Sequence, residues 1–247
     1  MPPPPPPLPP PPSPPLLHTQ PSEQACAHAP TVLYFHGNAG NIGMRLKFYH
    51  ELYSKAKCNI LAVDYRGYGD SEGSPSEAGL NLDADAALKY VQALPGIDAK
   101  AIFVFGRSLG GAVAMSLAAR NDANGAVRGV IAENTFTGIG ALATHLFPVL
   151  RLAGPLLPAL LSNRWDSLNI ISQITAPPIL FLSAGKDEII PPTHMKALHK
   201  ACANVEGTKF KVFPLAHHND MPIIAGDKYH EEITAFLEAT MPSRHVD

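Results

Sequence analysis

From Thr31 onward, short apolar runs alternate with longer segments whose apolar positions recur at helical spacing, the pattern of a parallel sheet wrapped by helices. TVLYFH (31–36) reads as a buried strand, about 42–56 as a helix, and NILAVDY (59–65) as the next strand. Three signals at SPSE (74–77) predict a helix start: Ser74 as N-cap, Pro75 at the first helical position, and Glu77 reaching back to close a capping box. That helix should run to about Leu94, ahead of Pro95-Gly96. IFVFG (102–106) is a third strand, a Gly/Ala-rich helix follows to about Arg120, and VRGVIAEN (127–134) is a fourth strand. PILFLSA (178–184) and KFKVFP (209–214) complete the set, with helices near 193–203 and 222–239.

Two stretches fall outside this alternation. An apolar, proline-interrupted segment at about 137–170 is expected to form a small cap over the sheet edge, with Leu150, Leu152, Leu156 and Leu157 available to line an apolar pocket. The opening MPPPPPPLPPPPSPP holds 12 of the chain's 26 prolines, and such a tract forms solvated polyproline II that cannot join a packed core. Residues 1–29 are therefore expected to be a disordered tail, and 30–240 one α/β domain. The tail has the chemistry of a ligand for proline-recognising domains of the SH3 or WW kind.

Composition narrows the class. With 247 residues, 46% hydrophobic and 16% charged, the chain can bury the core of one globular domain. A formal charge of −2 and the lack of a basic run argue against nucleic acid as a partner. Cys26, Cys58 and Cys202 are widely spaced with no C-x-x-C, so neither a disulfide framework nor a zinc site is indicated, and a reducing compartment fits. No charged n-region with an apolar h-region opens the chain. A membrane-crossing helix needs about 20 continuous apolar residues. The nearest candidate, HLFPVLRLAGPLLPALL (145–161), is broken by Pro148, Arg151, Gly154, Pro155 and Pro158. A cytoplasmic or membrane-associated location is expected.

The candidate chemistry centres on Gly106-Arg-Ser108-Leu-Gly110, a G-x-S-x-G where a predicted strand turns directly into a predicted helix. At such a nucleophile elbow the backbone is strained and chains cross closely, so the flanking positions must lack side chains while the serine Oγ is held out at the helix N-terminus. A serine hydroxyl is a poor nucleophile until a base takes its proton, and on this architecture the order along the chain is serine, acid, histidine. Asp187, after the strand PILFLSA, and the pair His217-His218, after the last strand, stand in that order. All would sit at the carboxyl ends of parallel strands, where sites form in open α/β sheets. Asp187 is the preferred acid. Glu133, after the fourth strand, is its rival, Glu188 should point away, and Asp220 is too near the histidines in sequence to reach the outer ring nitrogen. An oxyanion hole needs two convergent backbone N–H groups, for which the amides of Leu109 and of Asn38 in the His36-Gly37-Asn38-Ala39-Gly40 loop are the candidates. His36 itself is expected to be structural.

Two other chemistries compete for the same residues. The loop TVLYFHGNAGNIG followed by Asp64, 21 residues beyond Gly43, has the outline of a dinucleotide site, but its glycines are spaced G-x-x-G-x-x-G and do not specify the tight turn over a pyrophosphate. His194, His217, His218 and Asp220 could be imagined around a metal, yet no H-E-x-x-H or comparable pairing puts two of them on one helix face.

Taken together, HGNAGNIG (36–43), DYRGYGDSEGSPSE (64–77), GRSLGGAVA (106–114), ENTFT (133–137), KDEIIPP (186–192) and HND (218–220) make the chain resemble the serine hydrolases of the alpha/beta hydrolase domain-containing protein 13 type, the BEM family, over about 30–240. The resemblance implies an α/β-hydrolase fold, a Ser108-Asp187-His218 triad, and no metal or organic cofactor. It selects His218 over His217, because His218 opens the H-N-D triplet, and gives Glu133 no catalytic part. It also implies an ester or thioester substrate, with a long-chain acyl group on a small molecule or an acylated protein within its range, and association with a membrane surface. Members of the group usually carry an N-terminal hydrophobic anchor and extra strands ahead of the H-G loop. Here LLHTQPSEQACAHAP (16–30) stands in that place, so the sheet is expected to be shorter at that edge or the chain to be a truncated version.

Overall fold

The computed structural model describes residues 28–150, 152, 161–202 and 205–241. The expected proline tail up to residue 27, Cys26, and Leu156 and Leu157 of the expected cap lie outside the described residues.

Six strands form one parallel sheet: β1 Thr31–Phe35, β2 Asn59–Val63, β3 Ile102–Arg107, β4 Gly129–Glu133, β5 Ile179–Ala184 and β6 Lys209–Phe213. Their order across the sheet is β2-β1-β3-β4-β5-β6. The chain moves outward from β1 to β2, then jumps back to β3 on the other side of β1. That reversal is the topological switch point, and it opens a crevice between the carboxyl ends of β1 and β3. The register aligns Phe35 with Gly106, Arg107 with Glu133, and Ala184 with Phe213, so the loops that follow all emerge at one edge.

The helices described are α1 Leu46–Ala56, α2 Glu77–Ala93, α3 Leu109–Arg120, α4 Ile139–Leu146, α5 Ser167–Ile171, α6 Pro192–Ala201, α7 Met221–Ala225 and α8 Asp227–Thr240. Strand side chains alternate between faces. Leu33, Phe35, Ile102 and Val104 therefore pack with α2 and α3, while Val32, Tyr34, Phe103 and Phe105 pack with α1 and α8. Every residue of β1, β4 and β5 is buried, as expected of strands covered on both faces. Each large apolar side chain so removed from water contributes about 1.5–3 kcal/mol. The core therefore fixes the sheet firmly enough to carry strained loops at its edge.

Three expectations are corrected in detail. The second helix is capped by Ser76, not Ser74: the Ser76 hydroxyl accepts from the Gly79 amide, and Glu77 is the first helical residue. Glu77 closes no capping box, because its Oε2 instead accepts from the amides of Arg164 (2.7 Å) and Trp165 (3.0 Å), while its own amide donates to Asn163 Oδ1. This staples the returning end of the 137–170 segment to the start of α2. The last helix, read as one from 222 to 239, is two, separated at Gly226 with φ 55° in the left-handed region. Within the expected cap, α4 is apolar and has no fully buried residue, and Leu152 is 89% exposed rather than lining a pocket.

Candidate active site

The strand β3 runs straight into α3 at Ser108, whose φ of 55° and ψ of −118° lie in the left-handed half of backbone space. A non-glycine residue there stores about 1–3 kcal/mol of strain and persists only where its surroundings hold it. The Ser108 amide donates to Glu133 O (2.9 Å), and Thr135 Oγ1 donates to Ser108 O (2.8 Å), so the end of β4 and the loop after it clamp the elbow on both sides. The flanking glycines are required by contact. A Cβ on Gly106 would stand 2.0 Å from Gly110 O, and one on Gly110 would stand 2.0 Å from Phe35 O. Leu109 opens α3, so its amide is among those a helix leaves without an internal partner.

The loop after β1 lies against the elbow: a Cβ on Gly37 would be 3.4 Å from Ser108 Cβ and 4.0 Å from Ser108 Oγ. His36, fully buried, anchors that loop as a structural residue. Its Nδ1 donates to Gly37 O (2.7 Å), its Nε2 is 3.0 Å from Asp64 Oδ1 at ion-pair distance without hydrogen-bond alignment, and Tyr65 donates to its carbonyl. Burial pushes the His36 pKa below the ordinary imidazole value. Asp64 Oδ1 also accepts from the Ile42 amide (3.0 Å), and Tyr68 donates to Asn38 Oδ1 (2.6 Å). Asp64 is thus committed to the loop that carries Asn38, not left at a strand end to meet a ribose.

Across the crevice, β5 and β6 deliver an acid and two histidines. His218 Nδ1 is 2.7 Å from Asp187 Oδ2, with both side chains almost fully buried. Asp187 Oδ1 accepts from the amides of Ile189 (2.9 Å) and Ile190 (2.7 Å). The carboxylate is therefore oriented at both oxygens before it meets the imidazole. The two loops are stitched together: Gly185 N donates to Phe213 O, Lys186 N donates to Ala216 O, and a Cβ on Gly185 would meet the Pro214 backbone at 2.7 Å. Nδ1 facing a carboxylate must carry a proton, which leaves Nε2 as the basic nitrogen in the neutral ring. No hydrogen bond joins Ser108 Oγ to His218 among the described residues.

The other predicted groups have different partners. His217 is half-exposed, with Nδ1 3.2 Å from Glu188 Oε2 and its amide donating to Asp220 Oδ1 (2.7 Å). Glu188 is directed at His217, and near His218 its Oε2 accepts only from the backbone amide (3.4 Å), not from the ring. Glu133 does not approach the His218 ring. One of its oxygens accepts from the Tyr229 hydroxyl and the other is 3.3 Å from Arg107 Nε. His194 accepts from the amide of Thr137 at Nδ1, and burial lowers its pKa. No group of three or more metal-ligating side chains occurs among the described residues. Burial raises the Cys58 thiol to about 12 and that of Cys202 to about 11, so neither is poised as a nucleophile.

Two residues that sequence reading left out are tied to this site. Arg107 Nη2 donates to His218 O (2.7 Å) and Asn219 Oδ1 (2.9 Å), and Asn134 Nδ2 donates to His218 O (3.2 Å). Asn134 carries a positive φ of 45°. The only signal in the chain was adjacency: Arg107 is the first variable position of the G-x-S-x-G, and Asn134 follows the strand-ending Glu133.

Residues 30–165 match the family model described as the alpha/beta hydrolase fold. The chain is 42% identical over 208 residues to the protein bem46 of Schizosaccharomyces pombe, covering 84% of this chain and 67% of that one. It is 41% identical over 227 residues to the alpha/beta hydrolase domain-containing protein WAV2 of Arabidopsis thaliana, covering 88% and 73%. Among solved structures, an esterase from Pyrococcus furiosus superposes with a TM-score of 0.68 over 88% of this chain and 85% of its own, at 21% identity, a likeness of fold. No helix among the described residues is long and apolar enough to cross a membrane.

Proposed function

The chain belongs to the alpha/beta hydrolase fold family, together with the bem46 and WAV2 proteins, and on that premise we propose that it is a serine hydrolase acting on an ester or thioester. The observation that carries the reading is the buried 2.7 Å pairing of His218 Nδ1 with Asp187 Oδ2, at the same sheet edge as a strained serine elbow.

In this reading Ser108 Oγ attacks the substrate carbonyl carbon while His218 Nε2 takes its proton. The amides of Leu109 and Asn38 receive the developing oxyanion; Gly37 lying against Ser108 supports this placement. His218 returns the proton to the leaving alcohol or thiol as the C–O or C–S bond breaks. Water, deprotonated by the same imidazole, then releases the acid from the acyl-serine. Asp187 holds the tautomer and balances the imidazolium. The missing Ser108–His218 hydrogen bond is compatible with this, because such contacts often tighten only when substrate is bound. No step calls for a metal or organic cofactor.

For the acyl group we favour a long chain, carried by a small molecule or an acylated protein and presented at a membrane surface. The exposed apolar residues Leu146, Phe147, Val149 and Leu152 of the 137–170 segment support that preference. The test is labelling with a fluorophosphonate probe, followed by turnover of p-nitrophenyl esters and acyl thioesters of increasing length. Labelling of the native protein and none of Ser108→Ala is expected. A folded native protein that neither labels nor turns over any of the panel would refute the reading.

A further inference from the structure

We propose that Arg107 is a positioning residue for the base: together with Asn134 it clamps the main-chain carbonyl of His218 and so fixes the imidazole relative to the nucleophile. This rests on the assignment of Ser108 and His218 as nucleophile and base.

A side-chain partner cannot fix the histidine alone. Asp187 orients the ring through Nδ1, but the base is carried on the loop after β6, and β6 is an edge strand two strands removed from β4 and three from β3. Something must hold that loop to the elbow. Arg107 Nη2 donates 2.7 Å to His218 O and Asn134 Nδ2 donates 3.2 Å to the same oxygen. Arg107 is joined to Ser108 by a peptide bond, and Asn134 follows Glu133, whose carbonyl accepts from the Ser108 amide at 2.9 Å. The result is a closed circuit. One path runs Ser108–Arg107–His218 O, and the other runs Ser108 N–Glu133 O–Asn134–His218 O.

The guanidinium is well suited to this. Burial works most strongly against its charge, but Glu133, Tyr34, Tyr229 and Asp187 together offset that and raise its pKa above the ordinary arginine value. Its planar fork spends Nε on the carboxylate at 3.3 Å while Nη2 reaches His218 O and Asn219 Oδ1. Glu133 is in turn held by the Tyr229 hydroxyl from α8. Asn134 completes the clamp at its other end, since its Oδ1 accepts from Ala184 N (2.8 Å) at the end of β5, three residues before Asp187. Nucleophile, acid and base loops thus converge on one arginine and one asparagine.

The test uses Arg107→Lys, which keeps a cation beside Glu133 but lacks the fork, and the double variant Arg107→Met/Glu133→Gln, which removes both buried charges and so avoids leaving either unpaired. Asn134→Gly removes the second donor at a backbone angle that glycine tolerates. Each is measured for thermal unfolding, for kcat and KM on a p-nitrophenyl ester, and for the fluorophosphonate labelling rate. The expected result is a loss of about 10- to 100-fold in kcat and in labelling rate for both Arg107 variants, with KM within about twofold and folding retained. The single lysine variant should keep more activity than the double variant. If the folded double variant and Asn134→Gly both keep native kcat, the clamp has no positioning role and the proposal is overturned while the hydrolase assignment stands. An inactive native protein would instead remove the premise.

Discussion

Exchanging Asp187 for asparagine separates a catalytic carboxylate from a structural one, and the structure fixes what the change does at each oxygen. Asp187 Oδ1 accepts from the amides of Ile189 and Ile190, and an asparagine carbonyl oxygen can keep both bonds. The amide nitrogen then replaces Oδ2 beside His218 Nδ1, where a donor now faces a donor. The ring relieves this by moving its proton to Nε2, the nitrogen that should accept from Ser108, and a wrong tautomer of this kind costs about 10⁴-fold in kcat, or roughly 5.5 kcal/mol in barrier height. The stability change should be far smaller, about 1–2 kcal/mol, because two charge-assisted hydrogen bonds become neutral ones while the desolvation cost of a buried charge is relieved. Labelling kinetics with a fluorophosphonate, ester turnover and a urea titration on the same preparation read both quantities. Folded Asp187→Asn protein that labels within about tenfold of the native rate would refute the assignment of the acid. Glu133→Gln is the comparison: its partners are Arg107 and Tyr229 and not the His218 ring, so it should lose far less labelling than Asp187→Asn.

Single exchange of the two histidines should divide them: His218→Ala abolishes labelling, while His217→Ala, which loses only a half-exposed contact to Glu188, keeps most of it. The reverse pattern would transfer the base role to His217. Gly110→Ala places a Cβ 2.0 Å from Phe35 O, a backbone atom that cannot swing aside, and should destabilise by about 3 kcal/mol or more in chemical denaturation. Native-like stability there would mean that the crossing of α3 over β1 is looser than described. Burial depresses the pKa of His36, His194 and His230, so below about pH 6.5 the unfolded chain takes up protons that the folded protein does not. Stability should therefore fall as pH drops from about 6.5 toward the folded values, with each histidine contributing up to about 1.4 kcal/mol per pH unit and nothing above that range. Thermal melts between pH 8 and pH 5 check this, and a flat Tm across the interval would contradict it.

The sequence by itself determined the layers, because their signal is local. Thr31–Phe35 and Ile179–Ala184 read as buried strands from continuous apolar runs, and the glycines of G-x-S-x-G marked a strand-to-helix turn that the close contacts of Gly106 and Gly110 then explain. The chain order of serine, acid and histidine also named the candidate site residues in advance. The local signals at Ser74 and Glu77 misled: the helix is capped by Ser76, and Glu77 is engaged by the amides of Arg164 and Trp165, contacts 87 and 88 residues away. Only the tertiary structure decided partner identity among the charged groups. Glu133, Asp187 and Glu188 all lie near strand ends and look alike along the chain, but strand order and register put Glu133 beside Arg107, Asp187 against the His218 ring and Glu188 against His217. A hydrogen bond depends on tenths of an ångström between residues distant in sequence, so the contact between Arg107 and the His218 carbonyl became visible only once β3, β4 and the loop after β6 were assembled.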